Sequence, residues 1–163
     1  MDIYNSCCFI GPKNLQSSLD MVHLIQQKFE EYVIHKRVAV VNFGNNPGFE
    51  EIAQLATVLT RLYHSHIRRV EFVPQLRTQM KLDVQLGNDW SRFEATRPVW
   101  MTRACFKEKG KFIDFELIQS SVYCIFYITG PEDEREINLY KYARMHNRSC
   151  INLADYRDSI VVR

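Results

Sequence analysis

The sequence predicts a three-layer α/β domain whose sheet is doubly wound, mainly parallel and about five strands wide, with helices on both faces. Short apolar runs alternate with longer amphipathic stretches, and each run closes on a turn rich in Gly, Pro or Asn. Alternation of this kind indicates βαβ units, whose consecutive strands run parallel. The second run is apolar throughout, as expected for a central strand buried on both faces. The expected architecture is therefore Rossmann-like.

The alternation defines five strands and four helices. The predicted strands cover residues 7–10, 38–41, 70–73, 122–128 and 150–153. The first helix has Asn14 as its N-cap and runs to about His35, and the second ends near Tyr63. The third covers residues 105–119, and the fourth begins at the acidic residues 132–134, where the helix dipole favours negative charge.

Two segments carry no clear periodicity. Residues 75–102 combine mixed polarity with both tryptophans, and we expect an irregular or helical excursion over the carboxyl edge of the sheet. Residues 158–163 are expected to form a further edge strand or an interface segment.

Length and composition indicate the class of protein. A chain of 163 residues with 46% apolar and 25% charged residues fits a single domain over residues 1–163. The longest apolar run is far shorter than the roughly 20 residues that cross a bilayer, and the N-terminus lacks the features of a secretory signal. We therefore expect a cytoplasmic protein with no membrane partner. The net charge of +2 argues against nucleic acid as a partner.

The five cysteines and five histidines show no spacing that suits a zinc site, a disulfide framework or a catalytic triad. We interpret the cysteines as small buried hydrophobic residues. The sequence therefore predicts no metal and no cofactor.

Three turns lie where open parallel sheets bind ligands, beyond the carboxyl ends of the strands. The candidate binding residues in and beside these turns are Gly11, Lys13, Gly44, Asn45, Asn46, Gly48, Glu50, Glu51 and Gly130. In the second turn, glycine and asparagine tolerate the positive φ angles that let main-chain NH groups close on an anion. The pattern predicts a phosphate site there, with Lys13 placed to neutralise its charge.

The acidic residues after the second turn allow two interpretations. Glu50 or Glu51 could accept hydrogen bonds from a ribose hydroxyl, or Glu50 could act as a general base. Alternatively, the glycines only form a tight turn, the glutamates complement the helix dipole, and Lys13 is simply solvated.

Five short segments follow a known order of motifs along the chain. They are residues 7–13, 44–53, 70–74, 120–128 and 142–153. The first is a strand with a Gly-x-basic turn, and the second is a glycine turn followed by Gly-x-acid-x-x-Ala. Together they resemble the SLOG superfamily of Rossmann-like nucleotide-binding proteins, which includes the DNA-processing protein A family and the Lonely guy phosphoribohydrolases. The resemblance places Glu50 at the family's acidic position and implies a nucleotide-like ligand.

The chain departs from the phosphoribohydrolases where their chemistry resides. Phe112 and Ile113 stand where the closest family members carry an Arg-Asn pair. The usual Gly-Gly-Thr turn is replaced by residues 130–133, whose carboxylates would repel a phosphate, and the Pro-Gly-Gly-x-Gly-Thr-x-x-Glu signature is absent. The resemblance therefore implies a diverged ligand-sensing domain, or a domain that has lost its ligand, rather than an active phosphoribohydrolase.

Three functions remain open. The first is a binding domain, without strong catalysis, for a nucleotide-like or phosphorylated small molecule at the second turn. The second is hydrolysis of the N-glycosidic bond of nucleosides or their monophosphates, with Glu50 or Glu51 stabilising the ribosyl cation or activating water. The third is a structural module, held as a homo-oligomer by the aromatic C-terminal third around Tyr140. We expect a homo-oligomer.

Overall fold

The structure is a computed structural model that describes residues 5–77 and 93–156. Its strands are β1 (Ser6–Ile10), β2 (Val40–Phe43), β3 (Arg68–Leu76), β4 (Ala95–Met101), β5 (Tyr123–Phe126) and β6 (Ser149–Asn152). These strands form one all-parallel sheet in the order β4-β3-β2-β1-β5-β6. The predicted α/β class with a doubly wound parallel sheet is confirmed, and the described sheet has six strands rather than five.

Helices cover both faces of the sheet. They are α1 (Leu19–His35), α2 (Phe49–Arg61), α3 (Arg103–Phe106), α4 (Lys109–Gln119) and α5 (Glu134–Met145). One apolar core joins the sheet to α1, α2 and a 3-10 helix at Leu153–Tyr156, and a second core joins the other face to α3, α4 and α5. In the described part of the chain, no helix combines the length and apolar character needed to cross a bilayer.

The central strand β1 determines where the sheet can bind a ligand. Every residue of β1 is buried, and Cys8 pairs with Asn42 of β2 on one side and Cys124 of β5 on the other. The chain proceeds from β1 through β2 and β3 to β4, and then returns to place β5 on the opposite side of β1. The strand order therefore reverses between β1 and β5, and ligands bind at such switch points in open α/β sheets.

The expectation of an irregular or helical excursion over residues 75–102 is wrong at both ends of that segment. β3 continues through Pro74 to Leu76, and β4 occupies the edge of the sheet. Residues of β4 alternate between partly buried and exposed, and the exposed positions include Pro98. Edge strands tolerate proline and have one exposed side, which is why the mixed polarity did not suggest a strand. Residues 78–92 and 158–163 lie outside the described residues.

Two helix boundaries also differ from the predictions. α1 begins after Ser18, not Asn14, because the Ser18 hydroxyl accepts a hydrogen bond from the main-chain NH of Met21 at 3.2 Å. The helix predicted over residues 105–119 is split into α3 and α4, and Gly110 lies in the first turn of α4, where its helix cost is smaller than in the interior.

Two glycines allow the turn after β1 to pack directly on the start of α2. Gly48 has a φ of 76°, and a Cβ added there would collide with the carbonyl of Pro12. A Cβ on Gly11 would lie 2.5 Å from the ring of Phe49, whose main-chain NH donates to the Pro12 carbonyl at 3.0 Å. The glycines predicted to bind a ligand therefore bring two loops of the carboxyl edge into contact.

We expect Gly48→Ala to lower the free energy of unfolding by about 3 kcal/mol, because it combines a disfavoured φ with a main-chain collision. Urea denaturation measures the change. Gly110→Ala is the matched control, since a Cβ there has no atom within 4 Å, and its effect should stay within about 1 kcal/mol. Equal effects of the two substitutions would contradict the close packing at Gly48.

Candidate ligand-binding site

The loop between β2 and α2 encloses a carboxylate of the chain itself. Glu50 Oε1 accepts hydrogen bonds from the main-chain NH groups of Gly44 at 2.6 Å and Asn46 at 3.1 Å. Its Oε2 accepts from the Asn46 side-chain amide at 3.0 Å. Asn45 has a φ of 63°, which curls the loop around the acid. The loop therefore closes on an anion, as its sequence predicts, but that anion is Glu50.

Burial makes Glu50 an unusual acid. Only 2% of the residue is exposed, and this desolvation raises its pKa from 4.5 to about 7. The hydrogen bonds from Asn46 and Gly44 favour the charged form and oppose part of that rise. Glu50 therefore changes protonation near neutral pH while it stays inside the fold.

In the turn after β5, a carboxylate of the chain also accepts hydrogen bonds from the turn itself. Asp133 Oδ2 accepts hydrogen bonds from the Thr129 main-chain NH at 2.9 Å and the Thr129 hydroxyl at 3.2 Å. The Glu132 carboxylate lies against Gly130, because a Cβ added there would be 2.5 Å from its Oε2. Two of the three candidate turns at the carboxyl edge are thus associated with carboxylates of the chain.

A cavity of about 600 Å³ lies between α4 and α5 and reaches Lys13 in the turn after β1. It extends along α5 from Arg135 to Met145, and its polar and aromatic lining includes Lys13, Lys111, Asp114, Phe115, Arg135, Lys141 and Tyr142. We call it the lysine-rich cavity. Its volume lies within the range of small-molecule sites, roughly 300–1,000 Å³.

The lysine-rich cavity has an excess of positive charge. Arg135 forms a two-bond salt bridge with the buried Asp114, at 2.8 and 3.0 Å, and also donates to the Gly11 carbonyl at 3.2 Å. Among the described residues, no salt bridge engages Lys13, Lys111 or Lys141. The one carboxylate that lines this cavity is therefore neutralised locally, and three lysine charges remain.

The structure distributes the predicted site residues over several environments. Lys13 lines the lysine-rich cavity, and Gly44, Asn45 and Asn46 line a neighbouring cavity of about 250 Å³ beyond β2 and β3. Glu51 is exposed on α2 and, like Glu50 and Gly130, lines neither cavity. Gly11 and Gly48 are buried in the loop contact described above.

The sequence analysis missed most of the positive charge at the site. Arg135, Asn138 and Lys141 follow one another at intervals of three residues along α5. Lys111 and Asp114 have the same spacing on α4. This helical spacing of polar residues was the available signal. It was not informative alone, because charged faces of helices normally lie in solvent.

The comparisons with known proteins do not identify the chain. No protein-family model matches it, and no curated protein sequence matches it. The SLOG resemblance therefore stays a prediction, as do the binding and catalytic roles of the predicted residues. Within residues 5–77 and 93–156, no three His, Cys, Asp or Glu side chains are arranged to hold a metal ion.

We expect Glu50 to make the stability of the fold depend on pH. Because its pKa is about 7 in the folded state and near 4.5 when exposed, the folded state retains the proton more strongly. The contribution of this proton is complete below pH 4.5 and is lost as the pH rises to 7, by about 3 kcal/mol at most. Urea denaturation across this pH range, with Glu50→Gln beside the native chain, measures it.

Glu50→Gln should flatten this pH dependence, since glutamine mimics the protonated acid and can still accept from Gly44 and Asn46. The exposed neighbour provides the control, because Glu51→Gln should leave the pH dependence unchanged. A Glu50→Gln profile parallel to that of the native chain would show that Glu50 does not titrate in this range.

Proposed function

We propose that the domain binds a small anionic molecule, phosphorylated or nucleotide-like, in the lysine-rich cavity. The observation that carries this proposal is a cavity between α4 and α5 lined by three lysines for which the described part of the chain provides no salt bridge. Clefts lined by one sign of charge attract ligands of the opposite sign. The proposed ligand class is the one that the sequence predicts, but the proposed site differs from the predicted second turn, because the cavity includes Lys13 of the first turn and no residue of 44–50.

The cavity also supports recognition of a ring. Phe115 and Tyr142 line it with their ring centroids 4.6 Å apart, next to the cations. Aromatic surfaces next to charged groups suit a ligand with a flat apolar part and an anionic group. A nucleoside phosphate has both features.

Binding rather than hydrolysis is favoured by the position of the acids. Both oxygens of Glu50 accept hydrogen bonds from their own loop, and Glu50 does not line the lysine-rich cavity. Asp114, which does line it, is held by Arg135. A general base must come within hydrogen-bond reach of the proton that it removes, and neither acid is free to do so in this arrangement.

Calorimetric titration with a nucleoside monophosphate, the matching uncharged nucleoside and inorganic phosphate tests the proposal. We expect the monophosphate to bind more tightly than either fragment, because it engages both the cations and the rings. Lys13→Ala combined with Lys111→Ala should weaken binding about tenfold or more, given the strength of charge-assisted hydrogen bonds.

The exposed Lys36, at the C-cap of α1 and away from the cavity lining, provides the control. Lys36→Ala should leave the affinity unchanged. If neither the monophosphate nor phosphate binds, or if the control weakens binding as much as the double variant, the proposal is wrong.

A second proposal concerns assembly, because one apolar face of α2 is left exposed by the residues that the structure describes. Leu55, Val58 and Leu62 are 48%, 39% and 72% exposed at positions i, i+3 and i+7, and the adjacent Tyr63 is 79% exposed. The opposite face of α2 is buried against β1 and α1. A helix that is apolar on both faces is normally buried, so this surface is suited to a partner.

We propose that the partner is a second copy of the chain, with the two α2 helices antiparallel about a two-fold axis near Val58. This arrangement brings the acidic start of one helix, with the exposed Glu51, toward the segment that follows the other helix, with the exposed His66 and Arg68. The helix dipoles are then also opposed, which is favourable. Tyr140, around which the sequence suggested an interface, packs instead on Phe126 at 5.0 Å.

Sedimentation equilibrium tests this assembly. We expect a dimer for the native chain and a monomer for Leu55→Lys combined with Leu62→Lys, because charges on the apolar face oppose its burial. Met145→Lys is the control, since Met145 is also exposed but lies on α5, and it should leave the dimer intact. A native chain that stays monomeric, or a double variant that stays dimeric, would refute this interface.

A further inference from the structure

Three cysteines form a row across the sheet. Cys124 of β5 is in direct register with Cys8 of β1 on one side and with Cys150 of β6 on the other. Register partners in a parallel sheet direct their side chains to the same face. The three thiols therefore lie on one side of the sheet, in the core beneath α4 and α5.

The spacing brings these thiols into contact. The Sγ atoms of Cys8 and Cys124 are 3.7 Å apart. The Cys150 thiol donates to the main-chain carbonyl of Arg148 at 3.5 Å, and the Cys150 side chain also interacts with that of Cys124. Neighbouring strands lie about 4.8 Å apart, which falls within the Cα separations of roughly 4.4–6.8 Å found in disulfides. A bond between Cys124 and Cys150 is therefore compatible with the sheet.

Only one member of the row is accessible to a reagent. Cys8 and Cys124 are fully buried, as the sequence interpretation expected, whereas Cys150 is half-buried at the outer strand. The expectation of burial is thus wrong for Cys150 and also for the half-buried Cys105. Cys105 and Cys150 are each flanked in sequence by both polar and apolar residues, so the sequence did not indicate their exposure.

The surroundings of Cys150 also favour its reactive form. The hydrogen bond with Cys124 lowers the pKa of Cys150, and the Arg144 guanidinium lowers it further, while partial burial acts in the opposite direction. The same hydrogen bond raises the pKa of Cys124, which burial raises further. The pKa of Cys150 is thus lowered while that of Cys124 is raised, so the outer sulfur ionises more readily and is the better nucleophile of the pair.

We propose that Cys150 is an oxidation site at which peroxides produce a disulfide with Cys124. In the first step, the Cys150 thiolate attacks one peroxide oxygen and the O–O bond breaks, so that Cys150 becomes a sulfenic acid. The other oxygen leaves as hydroxide or alkoxide and takes a proton from solvent to form water or an alcohol. In the second, Cys124 Sγ attacks the sulfenic sulfur. The S–O bond breaks, and the hydroxyl leaves with the Cys124 proton as water. The two thiols are oxidised by two electrons, which the peroxide accepts.

Treatment with hydrogen peroxide followed by mass spectrometry tests this inference. We expect the native chain to lose two hydrogen atoms and peptide mapping to place the cross-link between Cys124 and Cys150. Cys150→Ser should abolish this product, and Cys124→Ala should stop the reaction at a sulfenic acid that dimedone captures. Cys105→Ser is the matched control, because Cys105 is also half-buried but lies outside the row of three cysteines. This variant should form the Cys124–Cys150 disulfide at the native rate.

A measurement on the native chain tests the same proposal without relying on variants that could fail to fold. Competitive alkylation of the native chain with iodoacetamide at neutral pH should modify Cys150 at least several times faster than Cys105, since the thiolate is the reacting form. No disulfide in the native chain, a cross-link between another pair, or a rate at Cys150 no higher than at Cys105 would overturn the proposal.

Discussion

The buried carboxylate of Glu50 is the interaction on which the carboxyl edge of the sheet depends. It provides acceptors for the NH groups of Gly44 and Asn46, which a tight strand-to-helix loop would otherwise leave for solvent. The conformation of this loop also affects the turn after β1, because Gly48 at the end of the loop packs on Pro12. The turn after β1 in turn presents the Gly11 carbonyl to Arg135. The Glu50 carboxyl group thus supports the contacts that form one wall of the lysine-rich cavity.

This arrangement changes how an anionic ligand can be held. In many nucleotide-binding sheets, main-chain NH groups at the strand ends bind the phosphate. Here carboxylates of the chain accept hydrogen bonds from Gly44, Asn46 and Thr129, so cationic side chains on α4, α5 and the first turn offer the available charge. Flexible lysines recognise charge with less geometric precision than a rigid loop does. The proposed site is therefore suited to binding and less suited to orienting a bond for cleavage.

The pattern of apolar runs was sufficient for the class of fold and for five of the strands, because buried parallel strands are continuously apolar. It failed at β4, where one exposed side and Pro98 remove that signal. The glycine turns were located correctly, yet the role of Glu50 was not predictable from its position. The same spacing permits an acid that faces a ligand and one that folds back onto its loop, and only burial distinguishes them. Lys111 and Arg135 are far apart in sequence, so their convergence depends on the switch point itself.

Glu50 and Asp114, two buried acids at this edge, relate the stability of the fold to binding of the proposed ligand. The charge of Asp114 is among the causes that raise the pKa of Glu50, and Asp114 also forms the salt bridge that positions Arg135. An anion bound beside Arg135 would add negative charge to the same region. It would favour the protonated form of Glu50 for the same reason that Asp114 does. By linkage, protonation of Glu50 would favour such an anion equally, so the affinity of the proposed site would depend on pH near neutrality.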